Sequence, residues 1–177
     1  KVTADFWLIK LMAVTMGETA ADYLAVNLGL GLTATSLLMT AILIGALVLQ
    51  FGQKRYVPWA YWLTVVLISI VGTLVTDNLV DNFGVSLIAT TVSFTLALAA
   101  TFALWFASEN TLSIHAIFTT EREAYYWLAI LFTFALGTAA GDLVAEKFGL
   151  GYLATGILFG MIIASLAFGY FALKLDP

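Results

Sequence analysis

Cysteine is absent from the 177 residues, charged residues make up only 10% of them, and histidine occurs once. The first absence excludes disulfides and thiolate metal sites. The second excludes a soluble domain, because with 62% hydrophobic residues lipid must cover much of the surface. The single histidine, His115, shares a polar connector with Glu121 and Glu123. One imidazole with scattered acids is a poor metal site, and these groups read as solvated. Catalytic signatures are missing too: there is no His-Glu-x-x-His, no phosphate-binding glycine loop and no nucleophile beside a histidine. The expectation is a protein that is not an enzyme. A net charge of −4 on a lipid-facing composition argues against nucleic acid as a partner.

What is abundant is apolar sequence in long runs. Six can be marked, near 6–26, 32–51, 59–80, 87–107, 124–145 and 152–173. Each is close to the roughly 20 residues that a spanning helix requires. The first lacks a basic leader and holds acids near its end, unlike a cleavable signal. The runs are continuous, without the alternation of a barrel strand. The expected fold is therefore all-α, a polytopic bundle of six transmembrane helices.

The runs are copies of one unit. Phe6-Trp7-Leu8, Tyr61-Trp62-Leu63 and Tyr126-Trp127-Leu128 are separated by 55 and then 65 positions. The same offsets relate Gly17, Gly72 and Gly137; Asp22, Asp77 and Asp142; Gly29, Gly84 and Gly149; and Thr35, Thr90 and Thr155. The register gives repeat units at 1–55, 56–110 and 124–177, with a polar connector at 111–123 that absorbs the extra length. Each unit reads as a helix, a glycine turn and a returning helix. Two spans per unit make the repeats parallel, related by an axis along the membrane normal. Lys1, Lys54, Arg55, Arg122 and Lys174 lie on the side of the termini, whereas the turns hold only Lys147. The positive-inside rule then places both termini in the cytoplasm of a bacterial inner membrane.

Four sets of residues, and one lysine, invite a role. Glu18, Asp22, Asp77 and Asp142 are carboxylates inside otherwise apolar runs. Such groups normally face a cavity, a partner or the bundle interior. Converging, they would offer oxygen ligands to a divalent cation, manganese being the type best matched, or they would carry protons. Folding each hairpin about its turn brings Thr35, Thr90 and Thr155 toward the aspartates, where a hydroxyl-to-carboxylate bond would lock two helices. Small residues four apart, among them Gly17, Gly72, Gly137/Gly141 and Gly156/Gly160, read as helix-packing faces. Trp7, Trp62 and Trp127 read as an interfacial belt, and Lys10 as a lysine reaching back to the headgroups.

The aromatic-Trp opening, the Gly-x-x-x-x-Asp motif and the glycine turn, in tandem two-span units, resemble a bacterial family described as a repeat of unknown function. The resemblance extends over essentially the whole chain, and its members are membrane-anchored proteins without an assigned activity. It implies four units and eight spans, of which three units are present here.

Two functions remain open at this point. One is a cation transporter or channel, with proton coupling, that uses the repeated carboxylates and binds a divalent cation. The other is a non-transporting scaffold or accessory subunit in which the acids are interhelical locks. Both imply a lipid bilayer as the surroundings, and a homo-oligomer or a larger membrane complex as the assembly.

Overall fold

A computed structural model describes residues 4–53, 55–113, 117 and 119–172. Among them are six α-helices and no strand: α1 (Ala4–Asp22), α2 (Leu32–Phe51), α3 (Pro58–Asp77), α4 (Leu87–Glu109), α5 (Thr120–Asp142) and α6 (Tyr152–Ala172). The fold is the all-α bundle expected from the runs. Five stretches are long and apolar enough to cross a bilayer: Leu32–Phe51, Pro58–Asn82, Leu87–Glu109, Thr120–Lys147 and Tyr152–Gly169. The first helix is more charged than most of these five. Its 19 residues include Asp5, Lys10, Glu18 and Asp22, which dilute the apolar character a lipid-facing span needs. It lies along α3, and Lys10 Nζ stands 6.0 Å from the centre of the Phe6 ring.

The helix starts and stops follow local chemistry. Pro58 opens α3, where its missing N–H costs nothing. Ser86 and Thr119 cap α4 and α5 by accepting from the amides of Ala89 and Arg122. Gly29, Gly84 and Gly149 close the hairpins at φ of 68°, 67° and 72°, a left-handed conformation that favours glycine.

The odd-numbered helices stand side by side and in register, with α3 between α1 and α5. At one end Tyr61 and Tyr126 share a hydroxyl hydrogen bond of 2.7 Å, and nearer the other end Thr73 and Thr138 share one of 3.3 Å. Both pairs are 65 positions apart, so α3 and α5 run parallel, as two-span repeats require. The first two returning helices lean on the next unit rather than their own: α2 packs against α3, and α4 against α5. The core accordingly centres on α3, where Val65, Ile68, Val71 and Leu74 are each at most 3% exposed.

Close approach is made at glycine. A Cβ on Gly17 would stand 1.7 Å from Ser69 Oγ, and one on Gly72 would stand 2.8 Å from Phe134 Cβ and 3.2 Å from the Ala135 amide nitrogen. The remaining packing glycines do not behave as expected. Among the described residues nothing lies within 4 Å of a Cβ built on Gly137, Gly141, Gly156 or Gly160.

A polar knot ties α2 to the end of α3. Asn78 donates to Ser36 Oγ at 2.6 Å and to the Leu74 carbonyl at 2.8 Å, and its Oδ1 accepts from Thr33 at 3.2 Å and Asn82 at 2.8 Å. In an apolar surrounding these bonds hold the helices where burial of carbon does not. Asn78→Leu is expected to destabilise the fold by about 1–2 kcal/mol, read from the shift in thermal unfolding in detergent.

Candidate functional site

The aspartates end their helices, and each is followed by one wide turn. The segments Tyr23–Asn27, Asn78–Asn82 and Leu143–Lys147 are π-helical, and begin immediately after Asp22, Asp77 and Asp142. Their bonds span five residues: the amides of Leu28, Phe83 and Phe148 donate to the carbonyls of Tyr23, Asn78 and Leu143 at 2.9, 3.0 and 3.0 Å. Widening the last turn changes the direction in which side chains leave the helix, and such turns are frequent at functional sites. All three units have it at the same position, next to the acid.

These ends meet around one cavity of about 510 Å³, with room for more than about ten waters at roughly 30 Å³ each. Its wall includes Glu18 and Asp22 from α1, Thr73, Thr76 and Asp77 from α3, and Thr138 and Asp142 from α5. The four acids singled out in the sequence thus come to one place from three helices. Asp77 and Asp142 are partly buried, whereas Glu18 and Asp22 are exposed. Thr73 and Thr138, the counterparts of Glu18, bond to each other below the aspartates, and Thr76 donates to the Gly72 and Ala135 carbonyls at 3.2 and 3.0 Å. The wall is therefore braced by hydroxyls while its carboxylates are left facing the cavity.

Three expectations are corrected by this geometry. The hydroxyl-to-carboxylate locks are not made: Thr90 and Thr155 donate to the Ser86 and Gly151 carbonyls of their own helices at 3.1 and 2.9 Å. Thr35, fully buried, has no hydrogen-bond partner for its Oγ1 among the described residues. A threonine facing the turn before it satisfies its hydroxyl locally, with no reach left for a neighbouring helix. Nor do Glu18, Asp22, Asp77 and Asp142 form a preassembled metal site. Among the described residues no three acids or histidines are placed to hold one ion together, because the carboxylates are spread over the wall of a wide cavity. Last, Trp127 does not face outward to lipid. It is 4% exposed, its ring centre is 5.5 Å from that of Tyr61, and its indole donates to Glu123 Oε1 at 3.2 Å.

Trp62 is partly buried against Phe6, with 5.4 Å between ring centres. The side chain of Trp7 and the whole of His115 lie outside the described residues. The sequence did not single out the members of the cavity mouth. Asp81 and Glu146 line it, and so does Tyr152, whose hydroxyl donates to Glu146. At the opposite end of the bundle Glu123 also accepts from Gln50 Nε2 at 3.0 Å, so its carboxylate is held by groups from α2 and α5.

A parallel array of apolar hairpins around a cavity lined with acids defines an integral membrane protein built from tandem repeats. Residues 6–56, 60–111 and 125–175 each match the family described as Repeat of Unknown Function (DUF347), and the chain belongs to that family. Comparison with curated proteins and with solved structures finds no match.

Proposed function

We propose that the chain is a membrane transporter or channel for a cation, and that its acids form the ion's entry and holding site. The observation that carries this reading is the convergence of Glu18, Asp22, Asp77 and Asp142 from three helices on one cavity. Carboxylates are too costly in an apolar bundle to be gathered there by packing alone. The width of the cavity favours a hydrated cation or a proton held by several acids in turn over a stripped divalent ion in a tight cage. In the orientation that the basic residues suggest, both termini are in the cytoplasm of a bacterial inner membrane and the cavity opens on the opposite face. The reading is of a carrier without enzymatic chemistry.

The competing scaffold reading rested on acids sealed by hydroxyls, but Thr90 and Thr155 are engaged within their own helices and Thr35 makes no bond among the described residues. What favours it is separate: the faces of α5 and α6 that no described residue covers.

Because the chain has no native cysteine, one introduced thiol reports on access. Thr138→Cys stands one turn before Asp142 on the cavity wall, leaving all four acids in place. Reaction with a membrane-impermeant thiol reagent is expected, slowed by the cation that the site holds. A thiol that is unreactive from both sides in folded protein would reject the reading. Glu18→Gln is expected to weaken that protection by about two- to fivefold without abolishing it. Glu18 is exposed, and a partly solvated charge contributes on the order of 1 kcal/mol or less.

A further inference from the structure

At the end of the bundle opposite the acid cavity, two polar side chains depart from the repeat and meet. Gln50, near the end of α2, is only 8% exposed. In the register of the units its counterparts are Trp105 and Tyr170, which fill the position with an aromatic ring. Glu123 stands in the first turn of α5, and the offset of 65 positions counted back from it gives Pro58. The amide and the carboxylate thus occur once, where the repeat itself requires neither. Gln50 Nε2 donates to Glu123 Oε1 at 3.0 Å, and the Trp127 indole donates to the same oxygen at 3.2 Å.

Two oxygens of this pair are left over. Gln50 Oε1 is buried without a hydrogen-bond partner, and among the described residues no donor reaches Glu123 Oε2. A buried amide oxygen normally has a donor, because leaving it bare forfeits its hydration with no return. The bond already made indicates which donor is missing. A primary amide and a protonated carboxyl group match edge to edge, the amide N–H donating one way and the acid O–H the other. Half of that pairing is in place, and a proton on Oε2 would complete it.

The charges nearby leave room for that proton. Among the described residues no cationic group is bonded to the Glu123 carboxylate, whose two donors are neutral. On α5 and α4, Arg122 is paired with Glu109, and Glu121 accepts from Ser108. Tyr61 of α3 and Tyr126 share their hydroxyl bond. Helix α2 contains no ionisable side chain, and on α1 Asp5 is exposed while Lys10 stands over the Phe6 ring.

We propose that Glu123 and Gln50 form a proton-binding site at this end of the bundle, the proton held on Glu123 Oε2 and donated to Gln50 Oε1. Glu123 is partly exposed, so the proton exchanges with water: the carboxylate takes it up as the O–H bond forms and returns it when that bond breaks. The site is separate from the acid cavity. In the transport reading it is the stop for a proton on the cytoplasmic side, and that placement alone rests on that reading.

The chain has only two glutamines, Gln50 and Gln53, so glutamine isotopically labelled at the side-chain carbonyl reports on the pair without altering it. The protein in liposomes would be titrated and followed by solid-state NMR, with Gln53→Ala leaving Gln50 as the single signal. That signal is expected to shift as Glu123 takes up its proton, and the shift is expected to be lost in Glu123→Gln. Infrared spectra read the acid itself. A protonated-carboxyl band should be lost in Glu123→Gln and should move to higher frequency in Gln50→Leu, where the O–H has lost its acceptor. A Gln50 signal indifferent to pH in folded protein would overturn the proposal, and so would a Glu123 carboxyl band that stays in place in Gln50→Leu. A Gln50 signal that responds to added sodium or potassium at fixed pH, and not to pH, would also overturn it, by putting a metal cation where the proton is proposed. Neither readout needs flux, so vesicles that pass no cation would count against the transport reading and not against this site.

Discussion

Replacing Asp77 by asparagine is expected to lower cation flux into proteoliposomes by at least about tenfold, the factor that accompanies a loss of about 1.4 kcal/mol of interaction. Asp77 is on the central helix, between the helices that carry Asp22 and Asp142, and it is more enclosed than either Glu18 or Asp22. Asparagine keeps its size and removes its charge, so the packing of α3 against α1 and α5 should persist. No protein group is hydrogen-bonded to the Asp77 carboxylate among the described residues, so the substitution strands no partner. Thermal unfolding of Asp77→Asn should therefore match the parent within about 0.5 kcal/mol while the flux collapses. Asp142→Asn is expected to behave similarly, because the third unit repeats the same helix end and the same π-helical turn. If Asp77→Asn unfolds the protein instead, the acid is a structural element and the transport reading loses its central residue.

The second large effect is expected at a glycine. Gly72→Val should destabilise the bundle by about 1–3 kcal/mol, the usual cost of forcing carbon into a filled contact. A Cβ there would meet Phe134 Cβ at 2.8 Å and the Ala135 amide nitrogen at 3.2 Å. The second neighbour is backbone, so relief demands that α5 move as a body rather than that one side chain turn aside. Gly17 differs in degree, because the nearest atom to its Cβ is the Ser69 hydroxyl, although Ser69 Cβ at 2.8 Å is close too. Gly137→Val is the control within the same repeat register. On the separated chain it should change stability by no more than about 0.5 kcal/mol, since nothing stands within 4 Å. Denaturation of the two variants in detergent, side by side, compares an occupied contact with an empty one. Equal losses would mean that helix flexibility rather than contact sets the cost.

That contrast also marks what the sequence could and could not convey. The offsets of 55 and 65 identified which residues are equivalent, and the contacts obey them: Gly17 with Ser69, then Gly72 with Phe134. The parallel hairpins and the gathering of four acids follow from the same register. A small-residue spacing says that a helix can approach closely, not that one is present, so Gly137 and Gly141 resembled the others until their surroundings were known. The π-helical turns after Asp22, Asp77 and Asp142 have no residue signature, because a bond spanning five residues uses the same amides and carbonyls as one spanning four. The threonine locks failed for a related reason. Thr90 and Thr155 were placed near the aspartates by the hairpin, but rotation about their own Cα–Cβ bonds gave them a carbonyl within the same helix. The spread of the carboxylates over a wide cavity, rather than around one ion, depends on helix separations that no spacing in the chain records.

The central claim is that the cavity passes a cation across the membrane, and flux through the unmodified protein tests it most directly. Purified protein would be placed in vesicles and challenged with gradients of protons, monovalent cations and divalent cations in turn, against protein-free vesicles. The account predicts flux of at least one cation, saturating with concentration, as entry through a site with a limited number of carboxylates requires. Vesicles holding folded protein that remain as tight as empty ones to every cation tested would contradict it.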